Sequence, residues 1–354
     1  MISPAQIKSE LDRYVVGQDS AKRTLATAVA LHYRRVAYRG EVHVGKSNLL
    51  LLGPTGSGKT FMVQTVARLL EVPFAAITAT SITPAGWFGE KAESVVAALL
   101  TNAKHRFGKD SAFKRAMSGI AYIDEIDKLA AAQVQRGGEE AFNTIQVQQA
   151  LLRVIEGTFV TLDGNPFPTD AILFIGSGAF IGMESFVTRR EGSPKRAPRD
   201  PHAIRRVQPR DFIEYGFLPE FIGRFPVTAA LDPLTDVEVL RILRDIKDSL
   251  VEQWNALLSV DGCSIEIAEP VLYRIVRNAI AQGTGARGLR SAMEKLIEPA
   301  VQDLVPGTIV RIGANGIDYS RPVASSGDLS PPRDRSSLAL ASGESTPERL
   351  PDVS

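Results

Sequence analysis

Residues 48–60, NLLLLGPTGSGKT, carry the strongest structural signal in the chain. The apolar run from Asn48 to Leu52 has the length of a fully buried strand. The next eight residues fit the pattern G-x-x-x-x-G-K-[ST], and the apolar spacing from Phe61 to Leu70 predicts a helix. A strand, this loop and a helix in that order are the context that a phosphate-binding loop requires. The sequence therefore predicts a P-loop nucleotide site on a parallel α/β sheet.

The loop at 53–60 offers both backbone and side-chain groups to a nucleotide. Its glycines let N–H groups approach phosphate oxygens without an intervening Cβ, and the new helix directs its positive end at the same anion. Lys59 is expected to reach the β- and γ-phosphates, and the Thr60 hydroxyl to coordinate Mg²⁺. The predicted ATP-binding residues of the loop are Pro54, Thr55, Gly56, Ser57, Gly58, Lys59 and Thr60.

A second chemical motif lies in the run GIAYIDEIDKLA at 119–130. Its apolar strand ends in Asp124-Glu125, which places one carboxylate near Mg²⁺ and the next toward the γ-phosphate. We expect Asp124 to hold the metal, directly or through water, and Glu125 to activate the attacking water as general base. An Asp-Glu pair is common as a solvated helix start, but its position after a P-loop and an apolar strand favours catalysis. Two strand ends that meet at one nucleotide predict an ATPase.

Composition sets limits on the other classes of function. The 354 residues are 44% hydrophobic and 23% charged, which is typical of a soluble globular protein of about two domains. A net charge of +1 predicts no overall attraction to nucleic acid or acidic membranes. The single cysteine, Cys263, excludes an internal disulfide framework and a Cys-rich zinc module. The N-terminus lacks a signal peptide and no run has the length of a membrane span, so we expect a cytoplasmic protein.

The chain divides by composition into three predicted parts. Residues 1–232 are expected to form a large α/β domain, residues 233–315 a small, mainly helical domain, and residues 316–354, rich in Ser and Pro, a disordered tail. The further predicted helices are 4–14, 20–35, 94–105, 143–156, 235–258, 269–281 and 283–304. The further predicted strands are 72–77, 171–180, 264–268 and 308–312, with a hairpin or turn at 159–168.

Three further features each allow two interpretations. Ser177, at the end of the strand at 171–180, either contacts the γ-phosphate or water, or belongs to a strand-to-loop turn. Trp87 and Phe88 stand between glycines in a predicted loop, where they are either core residues or an exposed functional pair. Residues 188–210 contain eight basic residues and four prolines, which predicts an exposed irregular loop. Such a loop is either only solvated or meets an acidic partner or nucleic acid.

Taken together, these motifs resemble the AAA+ ATPase module of the Clp/Hsp100 unfoldases, and most closely the ClpX family. The resemblance covers about residues 8–312. GPTGSGKT is similar to the family's Walker A motif and YIDEIDK to its Walker B motif. YVVGQDSAK resembles the adenine-contacting box, which implies that Val15, Val16 and Gln18 contact the nucleotide. The implied fold is an AAA+ large domain with a parallel sheet, followed by a small helical domain.

The resemblance also implies roles outside these motifs. AGWFGE resembles the first pore loop, with Trp87, next to Phe88, in place of the usual tyrosine. EFIGRFPV implies that Arg224 is an arginine finger acting on the nucleotide of the neighbouring subunit. GTGARGLRS implies that Arg287 is the sensor-2 arginine. The resulting expectation is a homohexameric ATPase that pulls unfolded or tagged proteins through an axial pore.

The chain departs from the ClpX pattern at several places. One cysteine cannot form the four-cysteine zinc domain with which that family begins. No Ile-Gly-Phe-type tripeptide for docking the ClpP peptidase stands in residues 188–210, so ClpP docking is not expected. The pore-entrance loop is reduced to residues 161–169. The sister family HslU has a large insertion after the pore-loop helix that this chain lacks.

The sequence leaves two alternative functions open. One is a nucleic-acid-stimulated motor or loader, which only the basic segment supports. The other is the ATPase subunit of a Clp-type protease.

Overall fold

The computed structural model describes residues 2–83, 90–130, 139–192, 200, 202–282, 286–302 and 304–320, with the backbone alone for 139–142. The predictions for Trp87 and Phe88 lie outside these residues. The helices are α1 (Pro4–Tyr14), α2 (Asp19–Ala37), α3 (Lys59–Leu69), α4 (Ser94–Phe107), α5 (Lys109–Ala116), α6 (Glu139–Glu156), α7 (Met183–Arg190), α8 (Pro209–Tyr215), α9 (Pro219–Gly223), α10 (Asp236–Arg244), α11 (Leu250–Leu258), α12 (Glu269–Ala281) and α13 (Ala286–Gln302). The strands are β1 (Leu49–Leu52), β2 (Phe74–Thr78), β3 (Ile120–Asp124), β4 (Phe159–Leu162), β5 (Asn165–Pro168), β6 (Leu173–Gly178), β7 (Val227–Ala230), β8 (Ser264–Ile267), β9 (Ile309–Gly313) and β10 (Gly316–Ser320).

A five-stranded parallel sheet forms the centre of the large domain, with the strand order β2-β3-β6-β1-β7. All four residues of β1 are buried, and successive side chains enter opposite layers: Leu49 and Leu51 pack on one face, Leu50 and Leu52 on the other. Apolar partners on both faces explain why this strand is a continuous apolar run. Because the strands are parallel, their carboxyl ends lie at one edge of the sheet. The predicted α/β class is confirmed.

Helices cover both faces of the sheet. Helices α1, α2 and α3 cover the face that holds Leu49, through residues such as Leu11, Leu25 and Val63. Helices α4 and α6 and the segment after β6 cover the other face. The predicted hairpin at 159–168 is present as the antiparallel pair β4–β5. Helix α5 and strand β7 were not anticipated from the sequence, and β7 forms the edge of the sheet beside β1.

The small domain has a separate apolar core built from α10 to α13 and the strands β8 and β9. The single helix predicted at 235–258 is wrong. It is two helices, because Thr235 caps α10 through a capping box and Ser249 accepts a hydrogen bond from the N–H of Glu252 to begin α11. The predicted tail is wrong at its start as well. Residues Gly316–Ser320 form β10, which pairs antiparallel with β9.

The basic segment at 188–210 is not an irregular loop where the structure describes it. Helix α7 continues to Arg190, Ala203–Arg206 form a 3₁₀ turn, and α8 begins at Pro209. Residue 204 is an isoleucine with 5% exposure, so the turn is anchored in the apolar core. Residues 193–199 and 201 lie outside the described part of the chain.

Candidate ATP site

The carboxyl ends of β1, β3 and β6 bring the sequence motifs together. Strand β1 runs parallel to β6 with Leu51 beside Ser177, and the N–H of Gly53 donates to the carbonyl of Gly178 at 3.2 Å. A Cβ at Gly53 would lie 2.6 Å from the carbonyl oxygen of Leu231, so only glycine fits this close approach. The start of the P-loop is thus fixed by its neighbours on the sheet.

The P-loop itself presents features that suit a phosphate ligand. Gly58 has φ +95°, and the space beside it is open to 4 Å. The hydroxyl of Ser57 is buried and has no hydrogen-bond partner among the described residues. An unsatisfied buried hydroxyl costs about 1–3 kcal/mol, which an acceptor oxygen on a ligand would remove. The loop therefore fits a phosphate group that supplies the missing partner.

Lys59 opens helix α3 and is 9% exposed. Its Nζ donates hydrogen bonds to the carbonyl oxygens of Gly53 at 2.6 Å and Pro54 at 3.0 Å. Burial lowers its pKa to about 8, against the raising effect of the carboxylates of Asp124 and Asp127. The ammonium is held by its own loop, in the position from which it can turn to a phosphate.

A connected set of four side chains lies where β3 and β6 meet the start of α3. Ser177 Oγ donates to Asp124 Oδ1 at 2.5 Å, and the Tyr122 hydroxyl donates to Ser177 Oγ at 2.6 Å. Thr60 Oγ1 lies 3.0 Å from the Tyr122 hydroxyl and 3.4 Å from Asp124 Oδ2. Burial, together with the charge of Asp124, raises the pKa of Tyr122 to about 12. The predicted metal ligands Thr60 and Asp124 are therefore neighbours.

Tyr122 is the member of this hydrogen-bonded set that the sequence interpretation did not include. It sits two positions before Asp124 inside the apolar strand, where an aromatic residue is usually core. Alternation along the strand gives the only available signal, because residues 122 and 124 point to the same side of β3. In the structure Ser177 contacts Asp124, which neither interpretation of Ser177 included. Contact of Ser177 with the γ-phosphate or water stays a prediction.

Glu125 follows the strand with φ +54°, in the left-handed region, and its side chain is exposed. Its N–H donates to Asp124 Oδ1 at 2.9 Å. This turn separates the two carboxylates, since Asp124 is held in the hydrogen-bonded set while Glu125 projects into solvent. The separation suits a metal-holding group and a free base, although the base role stays a prediction.

A cavity of about 320 Å³ joins the P-loop to the small domain. It is lined by residues of the large domain and of the small domain, among them Val15, Val16, Phe61, Leu234, Ile242 and Arg287. Apolar walls beside the P-loop suit a flat aromatic base, and the volume is within the usual range for ligand sites. Arg287 is exposed at this cavity, and its positive charge also acts to lower the pKa of Lys59.

Gln18, predicted as an adenine contact with Val15 and Val16, is not among the residues that line this cavity. Its amide instead makes a pair of hydrogen bonds with the backbone of Asp232: Nε2 donates to the carbonyl, and Oε1 accepts from the N–H, each at 2.9 Å. Asp232 lies in the connection between β7 and α10. In this structure Gln18 therefore holds the linker between the two domains, and its contact with adenine stays a prediction.

Arg224 lies at the end of α9 with half of its side chain exposed, and pairs with Glu156 at the end of α6. The buried Asn48 fixes its backbone, because Nδ2 donates to the carbonyl of Arg224 at 2.9 Å while Oδ1 accepts from the N–H of Phe174 at 3.2 Å. The guanidinium is on the protein surface, where it could reach a neighbouring chain. The role of Arg224 as an arginine finger stays a prediction.

Four of the five arginines that the structure describes in the basic segment pair with carboxylates, and the fifth, Arg189, lies over the ring of Phe186. Arg190 bonds Asp211, Arg206 bonds Glu191 and Asp200, Arg205 bonds Asp232, and Arg210 bonds Glu214. These ion pairs neutralise the charge of four arginines that could otherwise attract nucleic acid. The described part of the segment consequently gives little support to a nucleic-acid motor.

The residues that the structure describes contain no group of three or more His, Cys, Asp and Glu side chains able to hold a metal. Mg²⁺ binds through one or two protein oxygens together with phosphates and water, so Thr60 and Asp124 suffice for it. None of the helices in the described ranges has the length and apolar character needed to cross a bilayer.

A P-loop after one parallel strand, and an Asp-Glu pair after another, define an ATP-hydrolysing P-loop protein. Residues 45–228 match the family described as AAA domain (Cdc48 subfamily), and residues 239–311 match the C-terminal D2-small domain of ClpB protein. The chain is 38% identical to the ATP-dependent Clp protease ATP-binding subunit ClpX 3 of Methylococcus capsulatus, across 90% of this chain and 81% of that protein. The chain therefore belongs to the AAA+ ATPases of the Clp/Hsp100 type.

Proposed function

We propose that this ATPase is a ClpX-type unfoldase or remodeller that uses ATP hydrolysis to move polypeptide through the pore of a homohexamer. The observation that carries the proposal is the cavity at the P-loop, whose walls come from both domains. Binding and release of a ligand in such a cavity are coupled to a change in the angle between the two domains. Similarity to a ClpX subunit over 90% of the chain supports the choice of polypeptide as the cargo.

In the proposed mechanism each polar residue has one task. Lys59 turns from the Gly53 carbonyl to the β- and γ-phosphates, and Arg287 contacts the phosphates from the small domain. Thr60 and Asp124 would hold Mg²⁺, which when bound supplies positive charge at the phosphate oxygens. Glu125, exposed beside this site, accepts a proton from the attacking water. Arg224 acts in trans on the next subunit.

The base assignment is tested with Glu125→Gln. ADP binding should be retained while the ATPase rate falls about 10²-fold or more, because only the proton acceptor is lost. Glu71→Gln is a matched control, since Glu71 is also exposed and also has a positive φ, of 53°. A wild-type rate in Glu125→Gln would show that another group activates the water.

The shared site is tested by mixing subunits. Arg224→Ala is expected to bind ADP normally and to hydrolyse ATP slowly, because the finger serves the neighbouring site. In a mixture with Glu125→Gln, interfaces that carry neither lesion should form and restore part of the activity. Full hydrolysis by an isolated monomer of the wild-type protein would refute the trans arrangement.

We further propose that the protein acts without the ClpP docking that is usual for its relatives. Within the basic segment, Ile204 is buried and Val207 packs against the core, so neither offers an exposed apolar side chain for docking. The test is degradation of a folded, tagged substrate by this protein together with a ClpP peptidase. Robust ATP-dependent degradation would overturn the proposal. A cytoplasmic location stays the prediction from sequence.

A further inference from the structure

The hydroxyl of Tyr122 is buried between three polar side chains at the carboxyl edge of the sheet. Its ring has no exposed surface, and the hydroxyl oxygen lies 2.6 Å from Ser177 Oγ and 3.0 Å from Thr60 Oγ1. Asp124 Oδ1 accepts a hydrogen bond from Ser177 Oγ at 2.5 Å, and Asp124 Oδ2 lies 3.4 Å from Thr60 Oγ1. Four oxygen-bearing groups therefore share a small number of protons in a buried place, and their donor and acceptor roles can be worked out.

Elimination fixes the direction of each hydrogen bond. An ionised Asp124 only accepts, so Ser177 gives its single proton to Asp124. Ser177 then accepts from Tyr122, and this uses the single proton of Tyr122. A phenol carries its proton at neutral pH, so this proton is already used in the bond to Ser177. Tyr122 has no second proton to offer Thr60, so a hydrogen bond between these two hydroxyls requires Thr60 as the donor.

This direction matters for a cation. A threonine hydroxyl that coordinates a metal offers an oxygen lone pair to the metal and must direct its proton elsewhere. The phenol oxygen of Tyr122 is the nearest acceptor, at 3.0 Å, whereas Asp124 Oδ2 is at 3.4 Å. When Tyr122 accepts the proton of Thr60, the Oδ2 atom of Asp124 stays free for a metal or its water.

We propose that Tyr122 is a positioning residue for Mg²⁺, which orients the Thr60 hydroxyl and, through Ser177, the Asp124 carboxylate. This inference rests on the proposed ATP site. Tyr122 does not touch the metal or the nucleotide; it acts through the two side chains that would. Groups that orient metal ligands in this way typically change metal affinity 10- to 100-fold when they are removed.

The test is Tyr122→Phe, which keeps the ring in the core and removes the hydroxyl alone. ADP affinity is measured by calorimetry in EDTA and across a Mg²⁺ titration. We expect unchanged affinity in EDTA and a Mg²⁺ concentration for half-maximal effect raised about 10-fold. Tyr215→Phe is the matched control, because Tyr215 is equally buried and donates to the carbonyl of Ile181 at 3.2 Å, away from the P-loop.

Two results would overturn the proposal. A wild-type Mg²⁺ dependence in Tyr122→Phe, while Asp124→Asn raises the Mg²⁺ requirement, would show that the phenol does not position the metal ligands. Weaker ADP binding by the same factor with and without Mg²⁺ would indicate a purely structural role. If the wild-type protein binds no ADP in any condition, the proposed ATP site itself fails, and this outcome is distinct from the other two.

Discussion

The lowered pKa of Lys59 predicts a pH dependence of nucleotide binding. Burial brings the pKa of the free protein's Lys59 to about 8, so a large fraction of the side chain is neutral at slightly alkaline pH. Only the protonated form attracts phosphate, and a bound phosphate then raises the pKa again. Binding above pH 8 therefore requires uptake of a proton, and the affinity should fall as the pH rises.

The size of the loss in ADP affinity follows from the fraction of the protein in which Lys59 is protonated. With a pKa of about 8, roughly nine-tenths of Lys59 is protonated at pH 7 and roughly one-tenth at pH 9, so ADP should bind about 10-fold more weakly at pH 9. Near pH 8, binding should take up about half a proton per nucleotide. ADP itself is fully deprotonated through most of this range, so the proton goes to the protein.

Calorimetry in two buffers of different ionisation enthalpy measures both the affinity and the proton uptake. Lys59→Arg is the matched control, because a guanidinium stays charged over the whole range and should remove the pH dependence. This variant retains Lys46, and burial lowers the pKa of Lys46 as well, to about 7. An affinity that is flat from pH 7 to 9, or a pH dependence that persists in Lys59→Arg, would refute the reasoning.

Two further predictions concern the hydrogen bonds that hold the site in place. Gln18→Ala removes both bonds to the backbone of Asp232 and should cost about 2 kcal/mol of unfolding free energy. A normal urea midpoint with weaker ADP binding would instead favour adenine contact by Gln18. Asn48→Asp keeps the acceptor for the N–H of Phe174 but places a buried carboxylate oxygen against the carbonyl of Arg224 in place of the donor, so it should cost at least about 1–3 kcal/mol in urea unfolding. An unchanged midpoint would show that this bond does not stabilise the fold.

The sequence by itself determined the P-loop, the strand that precedes it and the Asp124-Glu125 strand end. In each case the chemistry depends on residues adjacent in the chain, with glycine, lysine and carboxylate at fixed spacing, so a local pattern is enough. Helix α12 was predicted at its observed bounds for the same reason, since its apolar period and flanking residues are local. The predicted roles of Arg224 and Arg287 came from the family resemblance and stay predictions.

Contacts between residues far apart in the chain were decided only by the tertiary structure. Gln18 meets Asp232 across 214 positions and Asn48 meets Arg224 across 176, and no spacing rule encodes such pairs. The basic segment was interpreted as an exposed irregular loop, because its spacing does not show that Arg190 and Arg205 pair with carboxylates outside it, those of Asp211 and Asp232. Tyr122 was not predicted as a site residue, for a related reason. A buried phenol becomes part of a site only when folding brings other strand ends and a helix start against its hydroxyl, and that is a property of the packed sheet rather than of the strand.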